Sequence, residues 1–323
     1  MSDIGTMLAD TAERLFTTHA EAIEQAAAQG VWATEAWNAI EESGLPLALV
    51  PEQHGGFGIP PAEALALIRQ AGTHALALPL AETMIANAAL AAAGLPLAEG
   101  PAGLAPEPQK PVPWGRFAQT VVAFSDGQLH RYTSPTVVQQ GQNLASAPRD
   151  LLDLAGGETA PFPGASLLEW AALARALQMA GALEHVLQLT VDHVSTRVQF
   201  GRPLAKFQAI QQELAKLAGE VAAASAAADQ AADAFAENTD LGFAVAVAVA
   251  RARIGEAASK ASAIAHQLHG AIGFTREHVL HRYTTALWSW RDEYGTQRAW
   301  TLALGKRALA AGREGYWPMV VAA

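Results

Sequence analysis

The feature that most narrows the folds open to this chain is a row of apolar side chains at Leu173, Leu177, Ala180, Leu183, Leu187, Val191 and Val194. Spacing by threes and fours puts all seven on one face of a long helix. Phe207, Ile210, Leu214, Leu217 and Val221 repeat the pattern. Residues 244–250, AVAVAVA, alternate like a strand. Val247, Ile254, Ala258, Ala261, Ala265 and Leu268 nevertheless hold a 3.6-residue period, so a buried helix is predicted there. A fourth helix is expected over roughly residues 296–311. Long helices joined by short breaks describe an up-down bundle, and alanine, the best intrinsic helix former, is abundant almost throughout.

The N-terminal third reads the same way. Residues 3–28 suggest one helix ended by Gly30, and a second runs from Thr34 towards Gly44, a natural left-handed terminator. Residues 45–60 form a Gly- and Pro-rich loop, and 61–72 and 80–93 are two more helices. Between 101 and 164 the texture changes: prolines cluster, alanine thins, and short strands are predicted at 117–124, 129–133, 136–140 and 151–154. Ser125-Asp126-Gly127 is a hairpin turn between the first two. The expected organisation is a helical domain over 1–100, a small β segment over 101–164 and a helical bundle over 165–323.

Composition restricts partners and compartment. The chain of 323 residues carries 21 Lys+Arg against 31 Asp+Glu, a formal net charge of −10, which argues against nucleic acid. It is 51% hydrophobic and 16% charged, enough apolar material to exclude a disordered chain. With no cysteine, disulfides, thiol nucleophiles and Cys-based zinc sites are excluded. The start, MSDIGTMLADTAERLF, lacks the pattern of a secretory signal, and the uncharged stretches are too short to span a bilayer, so a cytoplasmic protein is expected.

Two polar breaks in the bundle stand out. The first is Arg197-Val-Gln-Phe200-Gly201-Arg-Pro-Leu-Ala-Lys-Phe207-Gln208-Ala-Ile-Gln211; the second is Gln267-Leu268-His269-Gly270-Ala271-Ile-Gly273-Phe274. An Arg fork with amides at a helix start suits an anion or nucleotide, and a glycine pair at a helix end lets backbone approach a ligand. Together with PEQHGGFGIP near the N-terminus, they resemble the acyl-CoA dehydrogenase family, with Arg-x-x-Phe-Gly-x-x-Leu-x-x-Phe-Gln-x-x-Gln followed by Gln-x-x-Gly-Gly-x-Gly. The resemblance covers roughly 1–95 and 165–323. It implies a mainly α, helix–β–helix fold ending in a four-helix bundle, a homo- or heterotetramer, FAD at the subunit interface, an acyl-CoA substrate and an electron-transfer flavoprotein or similar acceptor. By the resemblance, Arg197 would meet the FAD pyrophosphate, and Phe200, Gly201, Phe207 and Gln208 the same stretch of cofactor. Gln267, Leu268, His269, Gly270 and Ala271 would offer backbone N–H groups to a FAD held mainly by a neighbouring subunit. Thr296 and Gln297 fall where the family contacts the flavin nucleotide. Ala271 departs from the family's second glycine.

The chemistry that the resemblance implies takes a proton from the thioester α-carbon onto a carboxylate, with hydride leaving the β-carbon. In many members the carboxylate is the Glu of a Tyr-Glu-Gly-Thr loop. That Glu lies about twenty residues beyond the family's Gly-Phe pair, and counting from Phe274 lands here on Tyr294, followed by Gly295-Thr296, with Glu293 one position early and Asp292 two. Glu293 is the candidate base; a charge cluster with Arg291 is the alternative. The other family position for a base matches residues 171–176, which hold Arg175 and no acid, while Glu169 is slightly early. The Gly-Ser-Asp flavin-ring loop is absent from 101–164. These departures resemble the short subunit of bacterial heterotetramers, associated with CoA thioesters of steroid side chains or other bulky acids. The alternative function is a non-catalytic helical partner that binds no flavin. The pairs His266/His269 and His278/His281 have metal-compatible spacing but lack a well-placed third ligand in sequence, so no metal is expected. Trp288, Trp290 and Trp300 suit either an acyl pocket or core, and 52–58 either a substrate rim or a tight turn.

Overall fold

A computed structural model describes residues 2–107, 109–163, 166–237 and 240–321. The N-terminal helices are α1 (Asp3–Thr18), α2 (Ala20–Gln29), α3 (Thr34–Glu42), α4 (Pro61–Thr73) and α5 (Leu80–Ala93). The predicted helix over 3–28 is thus two, bent at His19. The bend falls at Thr17-Thr18-His19, three weak helix formers between stronger ones. Gly30 and Gly44 take positive φ, 67° and 78°, as their roles as terminators require.

Seven short strands follow: β1 (Ala102–Ala105), β2 (Val112–Pro113), β3 (Thr120–Ser125), β4 (Gln128–Thr133), β5 (Thr136–Gln139), β6 (Arg149–Asp153) and β7 (Glu158–Pro161). One sheet has the order β1-β3-β4-β7 and the other β2-β6-β5. Strands β3 and β4 pair antiparallel from Thr120↔Thr133 to Ser125↔Gln128. The predicted turn joins them, with Asp126 and Gly127 at φ 52° and 74°. Strands β1, β2 and β7 escaped prediction because prolines and glycines punctuate them.

The bundle comprises α6 (Leu167–Thr196), α7 (Gln208–Ala236), α8 (Asp240–His269), α9 (Leu280–Arg291) and α10 (Gln297–Val321), the last broken at Gly312. AVAVAVA lies within α8, as its longer period requires. Helix α9 was not expected, because LHRYTTALWSWR is rich in β-branched and aromatic residues. Burial of Leu280, Tyr283, Leu287 and Trp290 overrides that weak propensity. A two-residue-strand hairpin, β8 (Val198–Gln199) and β9 (Arg202–Pro203), separates α6 from α7.

One hydrophobic cluster runs from Leu8 through Leu177 to Trp300, joining N-terminal helices to bundle. Helices α4 and α6 meet backbone to backbone. A Cβ on Gly72 would lie 2.1 Å from the Gln178 carbonyl oxygen, and one on Gly181 2.1 Å from that of Arg69. This close crossing carries Arg175, one turn before Gln178, into the interior.

Candidate active site and nucleotide segments

Five polar side chains from distant parts of the sequence converge on a dry centre. Arg175 of α6 is 2% exposed, Glu82 of α5 1% and Glu293, after α9, 1%. The Arg175 Nη2 bonds to Glu82 and lies 2.7 Å from Glu293 Oε2, and its Nε donates to that same oxygen at 2.8 Å. Its Nη1 donates to Gln178. Asn143, in the β5–β6 loop, donates from Nδ2 to Glu293 Oε1 at 3.0 Å. The Asn143 Oδ1 in turn accepts from the Ala145 and Ala147 amides, which stiffens the loop against the site.

Electrostatics follow from this burial. Loss of water opposes the Arg175 charge, but Glu82 and Glu293 overcome it and hold the guanidinium above its ordinary range. Burial raises the Glu82 carboxyl, a rise only partly offset by Arg175. The Glu82 Oε2 has no hydrogen-bond partner among the described residues. The rings of Tyr294 and Trp290 cover the guanidinium at 5.3 and 5.7 Å.

The turn carrying Glu293 has its own buried clamp. Arg251 of α8 donates from Nη2 to the carbonyls of Trp290 (3.1 Å), Arg291 (3.1 Å), Glu293 (2.6 Å) and Gly295 (3.1 Å). Burial, with the like charge of Arg175, lowers its guanidinium to about 10, still charged at neutral pH. Tyr294 and Gly295 both take positive φ, 53° and 87°, and Trp300 Nε1 donates to the Tyr294 carbonyl at 3.1 Å.

Glu293 separates two cavities. The larger, about 400 Å³, runs between Leu76–Leu78, the 143–148 loop and α9, with Arg175, Trp290 and Glu293 among its walls. The smaller, about 270 Å³, lies between 104–113, Arg149 and residues 292–299. Both are of a size to hold part of a small-molecule ligand. Of the aromatic candidates, Trp290 lines the larger cavity, Trp300 is core and Trp288 stands beside His266. The 52–58 loop is a tight turn outside both: a Cβ on Gly56 would strike the Val50 carbonyl at 1.7 Å.

The nucleotide candidates lie elsewhere. Phe200 and Gly201 form the tip of the β8–β9 hairpin, both at positive φ, 52° and 78°. Positive φ strains a bulky aromatic, and the Phe200 side chain is 90% exposed. Phe207 stacks under the Arg202 guanidinium at 4.2 Å, and Gln208 begins α7. Arg197 caps α6 and is exposed. Gln267, Gly270 and Ala271 are exposed where α8 ends, whereas Leu268 and His269 are buried beneath them. Phe274 is 72% exposed beside them. Stacking of His193 on His269, ring centroids 4.3 Å apart, fixes both segments at one end of the bundle. Thr296 is exposed and caps α10 by accepting from the Ala299 amide at 3.2 Å. From Arg175 to Arg197 helix α6 advances 22 residues, about 33 Å at 1.5 Å each.

Glu293 stands out in the sequence as an acid, but its companions Glu82, Asn143 and Arg251 do not. A signal for Glu82 exists: LAETMIANAAL is apolar all round except for Glu82, Thr83 and Asn87, and all three are buried. Asn143 carries none, since its loop is positioned only by docking.

This fold, with two helical bodies flanking a small pair of sheets, can be compared with known proteins. Residues 2–96 match the acyl-CoA dehydrogenase N-terminal domain and residues 165–301 the acyl-CoA dehydrogenase C-terminal domain. The chain belongs to the acyl-CoA dehydrogenase family and is an oxidoreductase of that family. It is 35% identical over 291 residues to acyl-CoA dehydrogenase IpdE2 of Mycobacterium tuberculosis (86% of this chain, 88% of the relative). The Mycolicibacterium smegmatis IpdE2 is 30% identical over 301 residues, covering 88% and 92%. Among solved structures, a Tcur3481-Tcur3483 steroid acyl-CoA dehydrogenase variant aligns with TM-score 0.82 at 23% identity, covering 96% of this chain and 99% of that one. The ChsE4-ChsE5 complex from Mycobacterium tuberculosis aligns with TM-score 0.82 at 22% identity, covering 96% and 98%. At such identities the likeness is one of fold. No helix among the described residues is long and apolar enough to cross a membrane.

Proposed function

We propose that this protein is one subunit of an oligomeric, FAD-dependent acyl-CoA dehydrogenase, lending contacts to the nucleotide end of a cofactor whose ring serves a neighbouring chain. The observation that carries this reading is the separation of about 33 Å along α6 between Arg197 and Arg175. Cofactor contacts at one end and the buried carboxylates at the other do not compose one site within one chain.

The exposed segments fit such a cofactor. Gly201 and Gly270 take positive φ with open space where a side chain would stand, so their backbone can be approached closely. Arg197 offers a planar fork to a pyrophosphate, and the strained, exposed Phe200 offers an aromatic face. Bound FAD supplies a hydride acceptor for the acyl β-carbon.

The larger cavity suits the acyl group, with Leu76, Ala77, Leu78, Leu144 and Trp290 as apolar wall. A bulky acyl-CoA is favoured by its volume and by the steroid enzyme named above. Glu293 faces this cavity, yet both its oxygens are engaged, by Arg175 and by Asn143. We therefore assign Glu293 to anchoring the cavity floor, and the α-proton to a carboxylate of the partner. An electron-transfer flavoprotein is the acceptor this reading implies.

The test is Arg197→Ala in the assembled complex. FAD content should fall at least severalfold with the oligomer intact, since a charge-assisted bidentate contact is lost. Unchanged flavin content would refute the contact.

A further inference from the structure

The end of the bundle that carries the nucleotide segments also gathers three histidines with no part in the acidic centre. We infer that His193, His269 and His278 form a site for a single Zn²⁺-class divalent cation, clamping the ends of α6 and α8 to the loop that enters α9. One ring nitrogen from each of the three lies within 4.8 Å of the others. The rings of His193 and His269 stack at 4.3 Å, and His278 stands edge-on to His269 at 4.7 Å.

His269 is the strongest indicator. It is 5% exposed, and its Nδ1–H donates to the Ala265 carbonyl at 2.8 Å. That bond leaves the Nε2 lone pair outward, and this atom is buried without a hydrogen-bond partner among the described residues. Orientation of a ligating ring through an N–H···O=C bond is the usual second layer of a histidine metal site. His278 Nδ1 accepts a long bond, 3.2 Å, from the Leu280 amide, which metal ligation would replace. Burial lowers all three imidazoles, His269 to about 4, so they are neutral, ligating bases at pH 7.

The donor set selects the metal. Three imidazoles without a carboxylate in the cluster suit Zn²⁺, Co²⁺, Ni²⁺ or Cu²⁺ and disfavour Mg²⁺ and Ca²⁺. At Zn–N distances of about 2.0–2.1 Å the nitrogens must draw in by roughly 1–1.5 Å, within reach of side-chain rotation, with water as a fourth ligand. His266, one turn before His269, is excluded, because its ring lies between Phe274 and Trp288. Bound metal would couple His193, four residues before Arg197, to His269, next to Gly270. The assignment itself does not depend on flavin binding.

The test uses the untagged, chelator-treated full chain titrated with Co²⁺ and followed by ligand-field absorption. One Co²⁺ per chain is expected, with bands of a low-coordinate site that Zn²⁺ abolishes. His193→Gln and His278→Gln should each weaken binding at least about tenfold, while His130→Gln, on β4 and outside the cluster, leaves it unchanged. Circular dichroism checks that each variant keeps its helices, and either folded cluster variant suffices. No stoichiometric binding, or equal affinity in a folded cluster variant and the wild type, would overturn the site.

Discussion

At the scale of the residue, the determining object is Arg175. Two carboxylates, Glu82 and Glu293, are withdrawn from water around one guanidinium, and the arrangement is tolerable only while all three are present. Arg175→Ala leaves two buried acids without their cation, a loss of about 3–5 kcal/mol. Urea unfolding should register it as a lowered midpoint. Making Arg175→Met together with Glu82→Gln and Glu293→Gln should recover most of that loss, because neither acid is left as an unpaired buried charge. A triple variant as unstable as Arg175→Ala would show that the cost lies in packing around the site and not in the unpaired acids.

At the scale of the element, the site depends on how closely α4 approaches α6. Gly72 and Gly181 let the two backbones touch, and any Cβ there forces the helices apart. Gly72→Ala improves intrinsic helix propensity by about 1 kcal/mol, yet overpacking against the Gln178 backbone costs about 1–3 kcal/mol or more. Net destabilisation is the expected sign, read as a fall in melting temperature. Because Gln178 lies one turn from Arg175 and bonds to it, the substitution should also disturb the larger cavity. A stabilised Gly72→Ala protein would show that the α4–α6 crossing has room to relax.

At the scale of the whole molecule, the exposed Phe200 and Phe274 and the distance along α6 both point outward, towards a second chain. The purified chain alone should be colourless or hold much less than one FAD per chain, and co-assembly with a complete dehydrogenase subunit should raise flavin towards stoichiometry. Visible absorption with mass in solution measures this. A lone chain carrying one FAD per protomer in a yellow tetramer would contradict the proposal and return Glu293 to consideration as base.

Apolar spacing in α6 to α8, and alanine content with glycine and proline punctuation in α3 to α5, made those helices legible, since all of these are local properties of the chain. The Phe200-Gly201 and Gln267–Ala271 segments were legible for the same reason: each is continuous in sequence. The bend at His19, the helix α9 and the strands β1, β2 and β7 were not, because their local propensities are neutral or adverse: burial decides α9, β1 and β2, and pairing with β4 decides β7. Glu293 was visible as an acid, but its engagement by Arg175, 118 residues away, and by Asn143, 150 residues away, was not. The histidine cluster shows the same limit: His269 and His278 are near neighbours in sequence, while His193 reaches them only because α6 and α8 pack side by side. Local sequence specifies which helix a residue occupies; which charges share a dry interior is settled by packing between helices.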